Sequence, residues 1–154
     1  MTTGETALVR SIFGDAIDPG PVRIRRQRWF PFQPVNTVMA PCGHLHFHPA
    51  SPTYRDDFSI HAPGLQGLFI HEMTHVWQTQ NKGLLYLPLM RHPFCRYDYT
   101  LREAWSFERY GIEQQAEIVR HAFMLMQGWR VPHAAALDRY LALLPFTPAH
   151  PETA

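Results

Sequence analysis

The stretch "LFIHEMTHVWQTQ", residues 68–80, sets His71 and His75 four positions apart, with Glu72 directly after the first. On a helix, residues i and i+4 lie one turn apart on the same side, so two imidazoles there can converge on a single zinc ion. Glu72 is rotated by about 100° from His71, which sets it beside the ion, where it can take a proton from water the ion polarises. The pattern needs a third ligand, because a catalytic zinc has three protein ligands and keeps a fourth position open. The next residues, "VWQTQNKG", supply no further histidine.

A later stretch, "IEQQAEIVRHAFMLMQG", offers one in Glu113, with Glu117 one turn further on. Two carboxylates so placed repel by about a few tenths of a kcal/mol on an exposed helix, and by more when buried. A cation relieves that repulsion. With Glu113 as ligand and Glu117 accepting the N–H of a ligating histidine, both acids would support one metal. A pair of glutamates taken alone reads first as a wet surface, and it is the histidine pair that turns the reading toward ligation; Glu103 and Glu108 are rival ligands. An oxyanion formed during attack on a carbonyl needs donors besides the metal, and Tyr97, Tyr99, Tyr110 and His121 are the candidates.

The elements that must hold these groups are legible to different degrees. Pro63 suits an early helical position, Leu65, Leu68, Phe69, Glu72 and Val76 keep a three-and-four spacing, and Gly83 is a natural stop. The first motif therefore falls mid-helix. Ile112, Ala116, Val119, Phe123 and Met126 form an apolar stripe that ends at Gly128, which predicts a second helix from about residue 106 or 112 to 127. A first helix over "ETALVRSIF", with Leu8, Ile12 and Phe13 on one face, ends at Gly14. "VRIRRQRWF" alternates Val22 and Ile24 with Arg23 and Arg25, a strand pattern with one wet basic face. "VNTVMA" and "HLHFHPA", joined by "PCG", read as a hairpin. Its second strand would project His44, His46 and His48 to one face, spread over roughly 13 Å at 3.3 Å per residue, too far for all three to bind one ion. Residues 83–105 show no clear helix or strand until near Leu101, which predicts a long loop able to cover a cleft. Trp77 and Trp105 read as core anchors. Leu137, Tyr140, Leu141 and Leu144 share a face of a short closing helix, and residues 145–154 read as a flexible tail.

These expectations combine into a single α+β domain over residues 1–154, with a small, mostly antiparallel sheet packed on a site-bearing helix and a second ligand-bearing helix. A chain of 154 residues suits one core. A formal net charge of +1 argues against bulk capture of nucleic acid. No run approaches the ~20 apolar residues needed to span a bilayer. The first twenty residues show no basic stretch, apolar run and cleavage site, so the expectation is a chain that is cytoplasmic as synthesised. Cys42 and Cys95 leave a disulfide or two thiols open.

His71, Glu72, His75 and "EQQAE" resemble the gluzincin arrangement, in which the last Glu opens an E-x-x-x-[D/E] pattern, with Glu113 matching the ligand and Glu117 the supporting acid. The longer string "IFGDAID…VRI…NTVMAPCGHLHFHP…IHEMTHVWQ…YGIEQQAEIV" is similar to small bacterial zincin-like domains found near, or fused to, Vgr and other contractile-injection or polymorphic-toxin components. The similarity runs from about residue 12 to 127. It implies a zincin-like fold, one Zn2+ per chain, a metallopeptidase acting on a peptide or protein, a secretion-system partner and delivery by a non-classical route. It also implies that the histidine-bearing strand is a sheet edge above the metal helix, where an extended peptide could add. A catalytically silent module serving as a binding adaptor is the alternative.

Overall fold

The computed structural model describes residues 1–90 and 95–149. Its helices are α1 (Thr3–Phe13), α2 (Pro63–Lys82), α3 (Tyr86–Met90), α4 (Ile112–Met126) and α5 (Leu137–Leu141). Its strands are β1 (Ile24–Arg25) and β2 (Leu45–His46), and single 3-10 turns occupy Phe58–Ile60 and Phe107–Arg109.

α2 runs through the centre. Apart from Leu68, its residues from Gly67 to Thr79 are buried, so a helix with polar residues on several sides is nonetheless covered on nearly all of them. An unpaired buried polar group costs about 1–3 kcal/mol, and His71, Thr74, His75 and Gln78 each find a partner. The main partner is α4, which packs along α2. Gly67 permits the approach, because a Cβ there would stand 3.1 Å from Arg120 Nε and 3.1 Å from Met124 Sδ. α2 begins with proline at its first position, and Gly83 closes it at φ 96°, a left-handed conformation that favours glycine.

α1 is fixed by a capping box in which Thr2 Oγ1 accepts from Glu5 N and Glu5 Oε2 accepts from Thr2 N. Glu5 Oε1 also accepts from Phe58 N at 3.1 Å, which ties α1 to the 3-10 turn at Phe58. Phe13, Phe47, Phe58, Phe69 and Phe123 are fully buried, each contributing about 2 kcal/mol of apolar transfer energy. Trp77 packs edge-on against Phe107 and Phe146. Trp105 is half-buried beneath the guanidiniums of Arg102 and Arg109.

The sheet corrects the expectation of a mostly antiparallel one. β1 and β2 pair in parallel, Ile24 opposite Leu45 and Arg25 opposite His46. The hairpin reduces to one antiparallel bridge, Met39 with His46. Longer ladders are stopped by prolines at 31, 34 and 41, which have no N–H to give, and by Gln33 Nε2, which takes the His46 carbonyl at 2.9 Å. β2 is therefore no edge: Leu45 N and Phe47 N donate to the carbonyls of Arg23 and Arg25, and His46 bonds Met39 in both directions. His46 and His48 do not form a wet face either, since both are buried, and the ring of Trp29 lies 5.2 Å from that of His46.

The long loop expected over residues 83–105 contains α3, and residues 91–94 lie outside the described residues. Of the stretch expected to be a flexible tail, Phe146 packs on Phe13 with ring centroids 5.0 Å apart, while residues 150–154 lie outside the described residues. Cys42 and Cys95 are not disulfide-linked.

Candidate metal centre

His71 and His75 occupy successive turns of α2 and face the first turn of α4, where Glu113 lies. Glu113 Oε2 is 3.2 Å from His71 Nε2 and 3.1 Å from His75 Nε2. All three residues are at least 95% buried, and their ligand atoms lie within 4.8 Å of one another. This is the one such cluster of His, Cys, Asp or Glu among the described residues. Glu103 and Glu108, the rival ligands, are exposed and stand apart from it.

The outer ring nitrogens reveal what the centre requires. His71 Nδ1 faces Glu117 Oε1 at 2.8 Å, and a carboxylate only accepts, so that nitrogen carries the proton. His75 Nδ1 faces Gln78 Oε1 at 2.8 Å. Gln78 is held in that orientation because its Nε2 donates to the Ile112 carbonyl at 3.1 Å and to Gln115 Oε1 at 2.9 Å. Gln115 Nε2 in turn donates to the Tyr110 carbonyl. With both Nδ1 atoms protonated, neutral imidazoles turn two Nε2 lone pairs toward the Glu113 carboxylate. Lone pairs facing a carboxylate repel unless a cation or a proton lies between them. Two nitrogens and one oxygen, buried and convergent, are a donor set suited to zinc, and the outer bonds fix the rings as such a site requires.

The electrostatics follow the same logic. Burial alone would lower the pKa of His71, but hydrogen bonds to Glu113 and Glu117 outweigh it and raise the value to about 9. Burial would raise that of Glu117, yet the bond to His71 and the nearby cations lower it to about 2. Without a metal, a proton does part of the work of a cation.

Glu72 is buried beside the cluster, and its Oε2 has no hydrogen-bond partner among the described residues. It lines a cavity of about 310 Å3 together with His71, Asn36, Thr37, Val38 and Tyr97. The backbone bordering this cleft is thus residues 36–38, and not the histidine strand at 44–48. Tyr97 stacks on His71 with ring centroids 6.0 Å apart. Tyr97 and Glu117 also line an adjoining cavity of about 690 Å3, whose wall holds Tyr99, His121 and Tyr140.

Of the expected donors, Tyr99 bonds His121 Nδ1 and Tyr140, and His121 Nε2 lies 3.4 Å from Glu117 Oε2. Burial pushes the Tyr99 phenol well above its ordinary value and is the main cause that lowers His121. Tyr110 is committed elsewhere, accepting from Arg102 N and donating to the Thr100 carbonyl. Gln78 and Gln115 are the residues that sequence reasoning missed. The signal was faint: Gln78 sits three positions after His75, on the face that α4 covers.

The fold and the site define a mixed domain, largely helical, in which two long packed helices hold a buried His–His–Glu cluster. No family model matches the chain. It is similar to the type VI secretion system spike protein VgrG2b of Pseudomonas aeruginosa, 39% identical over 131 residues, covering 80% of this chain and 13% of that protein. It is also similar to the solved effector domain of P. aeruginosa VgrG2b, with 36% identity and a TM-score of 0.71 over 82% of this chain and 74% of the domain. The chain belongs to the family of this VgrG-associated effector domain.

Proposed function

We propose that this chain is a zinc-dependent hydrolase of the zincin type, a peptidase, that acts as an effector of a type VI secretion system. The observation that carries the reading is the convergence of His71 Nε2 and His75 Nε2 on one Glu113 oxygen, with the Glu72 carboxylate buried alongside. Zinc, when bound, supplies a Lewis acid that polarises a carbonyl and lowers the pKa of water. His71, His75 and Glu113 would hold it. Glu72 would accept the proton from the attacking water and return it to the leaving group, a role suited to a carboxylate with an unbonded oxygen facing a cleft. Glu117 and Gln78 orient the two rings, and Tyr97, stacked on His71 at the cleft wall, would offer its phenol to a substrate carbonyl. A purely structural zinc would have four protein ligands and no use for Glu72.

A second reading is a module without turnover that binds a partner of the secretion machinery. Its support is the kinship itself: the relative is named as a spike protein, of which a domain like this one makes up 13%. Metal content and cleavage separate the two. The hydrolase predicts one zinc per chain, lost in Glu113→Ala, and peptide-library cleavage that stops on chelation and returns with zinc. Zinc retained without cleavage of any peptide favours the binding module.

A further inference from the structure

Val22 and Ile24 anchor the basic segment to the core, but its arginine side chains and the apolar side chains of the turn after it serve neither the core nor the metal centre. Trp29, Phe30, Phe32 and Val35 are 47%, 37%, 88% and 42% exposed, a dense apolar group for a surface turn. The turn is built to present them. Gln33, only 3% exposed, accepts from Trp29 N at 2.7 Å and donates to the carbonyls of Thr37 at 2.8 Å and His46 at 2.9 Å. Gln33 N bonds the Phe30 carbonyl and Thr37 N the Pro34 carbonyl. Pro31 and Pro34 carry no N–H at all. These bonds fix the shape of the turn around Gln33 and hold the side chains of Trp29, Phe30, Phe32 and Val35 outward.

Charge supplies the second half of the argument. Arg23, Arg25, Arg26 and Arg28 precede the tip, all exposed, and among the described residues none is in an ion pair. Arg23, Arg26 and Arg28 hydrogen-bond to backbone carbonyls, and the Arg26 guanidinium also lies 5.2 Å from the centre of the Tyr54 ring. In a chain with net charge +1, this is a local excess of positive charge. Tryptophan and phenylalanine at the apolar tip with arginines behind them are the composition of segments that rest in the headgroup layer.

We infer that residues 23–35 form a membrane-docking element for anionic phospholipid surfaces. Asn36, Thr37 and Val38, which follow directly, line the cleft beside His71 and Glu72, so docking would bring the cleft to the lipid surface. An apolar tip backed by arginines matches the order of an anionic headgroup layer over an apolar interior, whereas a protein partner would have to supply both a pocket for Phe32 and acids for the arginines. The inference stands apart from hydrolysis.

The test is flotation of the full chain with mixed phosphatidylcholine–phosphatidylglycerol vesicles and with pure phosphatidylcholine vesicles. Binding is expected to the mixed vesicles alone and to weaken with salt. Arg25→Gln and Arg28→Gln should each reduce it by about fivefold, and Phe32→Ser should reduce it further. Leu85→Ser, at a residue 70% exposed outside the element, should leave it unchanged. Equal binding to both vesicle types, no binding to either, or loss of binding in Leu85→Ser alone would overturn the inference. So would sedimentation showing that Phe32→Ser instead breaks a dimer of the chain or its complex with a protein.

Discussion

His71 Nδ1 stands 2.8 Å from Glu117 Oε1, a bond between residues 46 apart in sequence that fixes which face of the imidazole points at Glu113. Arg120, one turn along α4, holds the same Glu117 oxygen at 3.2 Å. Removing the acid leaves the ring free to rotate and its nitrogens less basic. Glu117→Ala is expected to weaken zinc affinity by about 10- to 100-fold while the fold persists. Competition with a zinc chelator measures this, and an unchanged affinity would remove Glu117 from the centre.

The same bonds give the metal-free chain a pH signature. The folded pKa of His71, about 9, lies above the ordinary 6.5, so its bonds to Glu113 and Glu117 stabilise in full below pH 6.5 and are lost as pH rises through about 9. Glu117 runs the other way: at about 2 against 4.5, its contribution is full above pH 4.5 and lost as pH falls through about 2. Melting temperature of the chelated chain should therefore be highest between pH 4.5 and 6.5. Zinc must displace the His71 proton, so affinity should climb with pH up to about 9, and calorimetry in buffers of different ionisation enthalpy should show proton release.

Gln78 bridges His75, the Ile112 carbonyl and Gln115, all buried. Gln78→Ala leaves those groups unpaired, at a cost of about 1–3 kcal/mol, enough to lower the melting temperature by several degrees. Because His75 also loses its orienting acceptor, zinc affinity should fall together with stability. Thermal melts with and without zinc separate the two effects.

How far the sequence carries can be judged from these residues. α2 and α4 are legible because their apolar spacing, Pro63 and Gly83 mark them locally, and because Glu113 and Glu117 share a face with the spacing of one turn. Gln78 is not, because whether a helical glutamine is buried depends on what packs across it from 37 residues away. The sheet failed for a similar reason. Alternation in "HLHFHPA" predicts a strand, but β1 pairs with it in parallel and Trp29 covers His46 from the far side, contacts that no local pattern encodes. The association with Vgr proteins came from resemblance, and kinship with the VgrG2b effector domain supports it.

At Gly67 the side chains of Arg120 and Met124 from α4 reach down onto α2. Gly67→Leu would drive a side chain into Arg120 and Met124, an overpacking worth about 1–3 kcal/mol that also displaces the arginine holding Glu117. A lower melting temperature with weakened zinc affinity is expected. Full stability in this variant would mean that the α2–α4 contact is looser than the geometry implies.

Glu72→Gln separates metal binding from turnover, because it removes the acceptor for a proton and leaves His71, His75 and Glu113 in place. Zinc content and peptide hydrolysis should be measured on the same preparation of wild type and variant. Zinc should remain at one per chain while hydrolysis falls by about 100- to 10,000-fold. Hydrolysis that survives in the variant, or a wild type that binds zinc and cleaves nothing, would contradict the account.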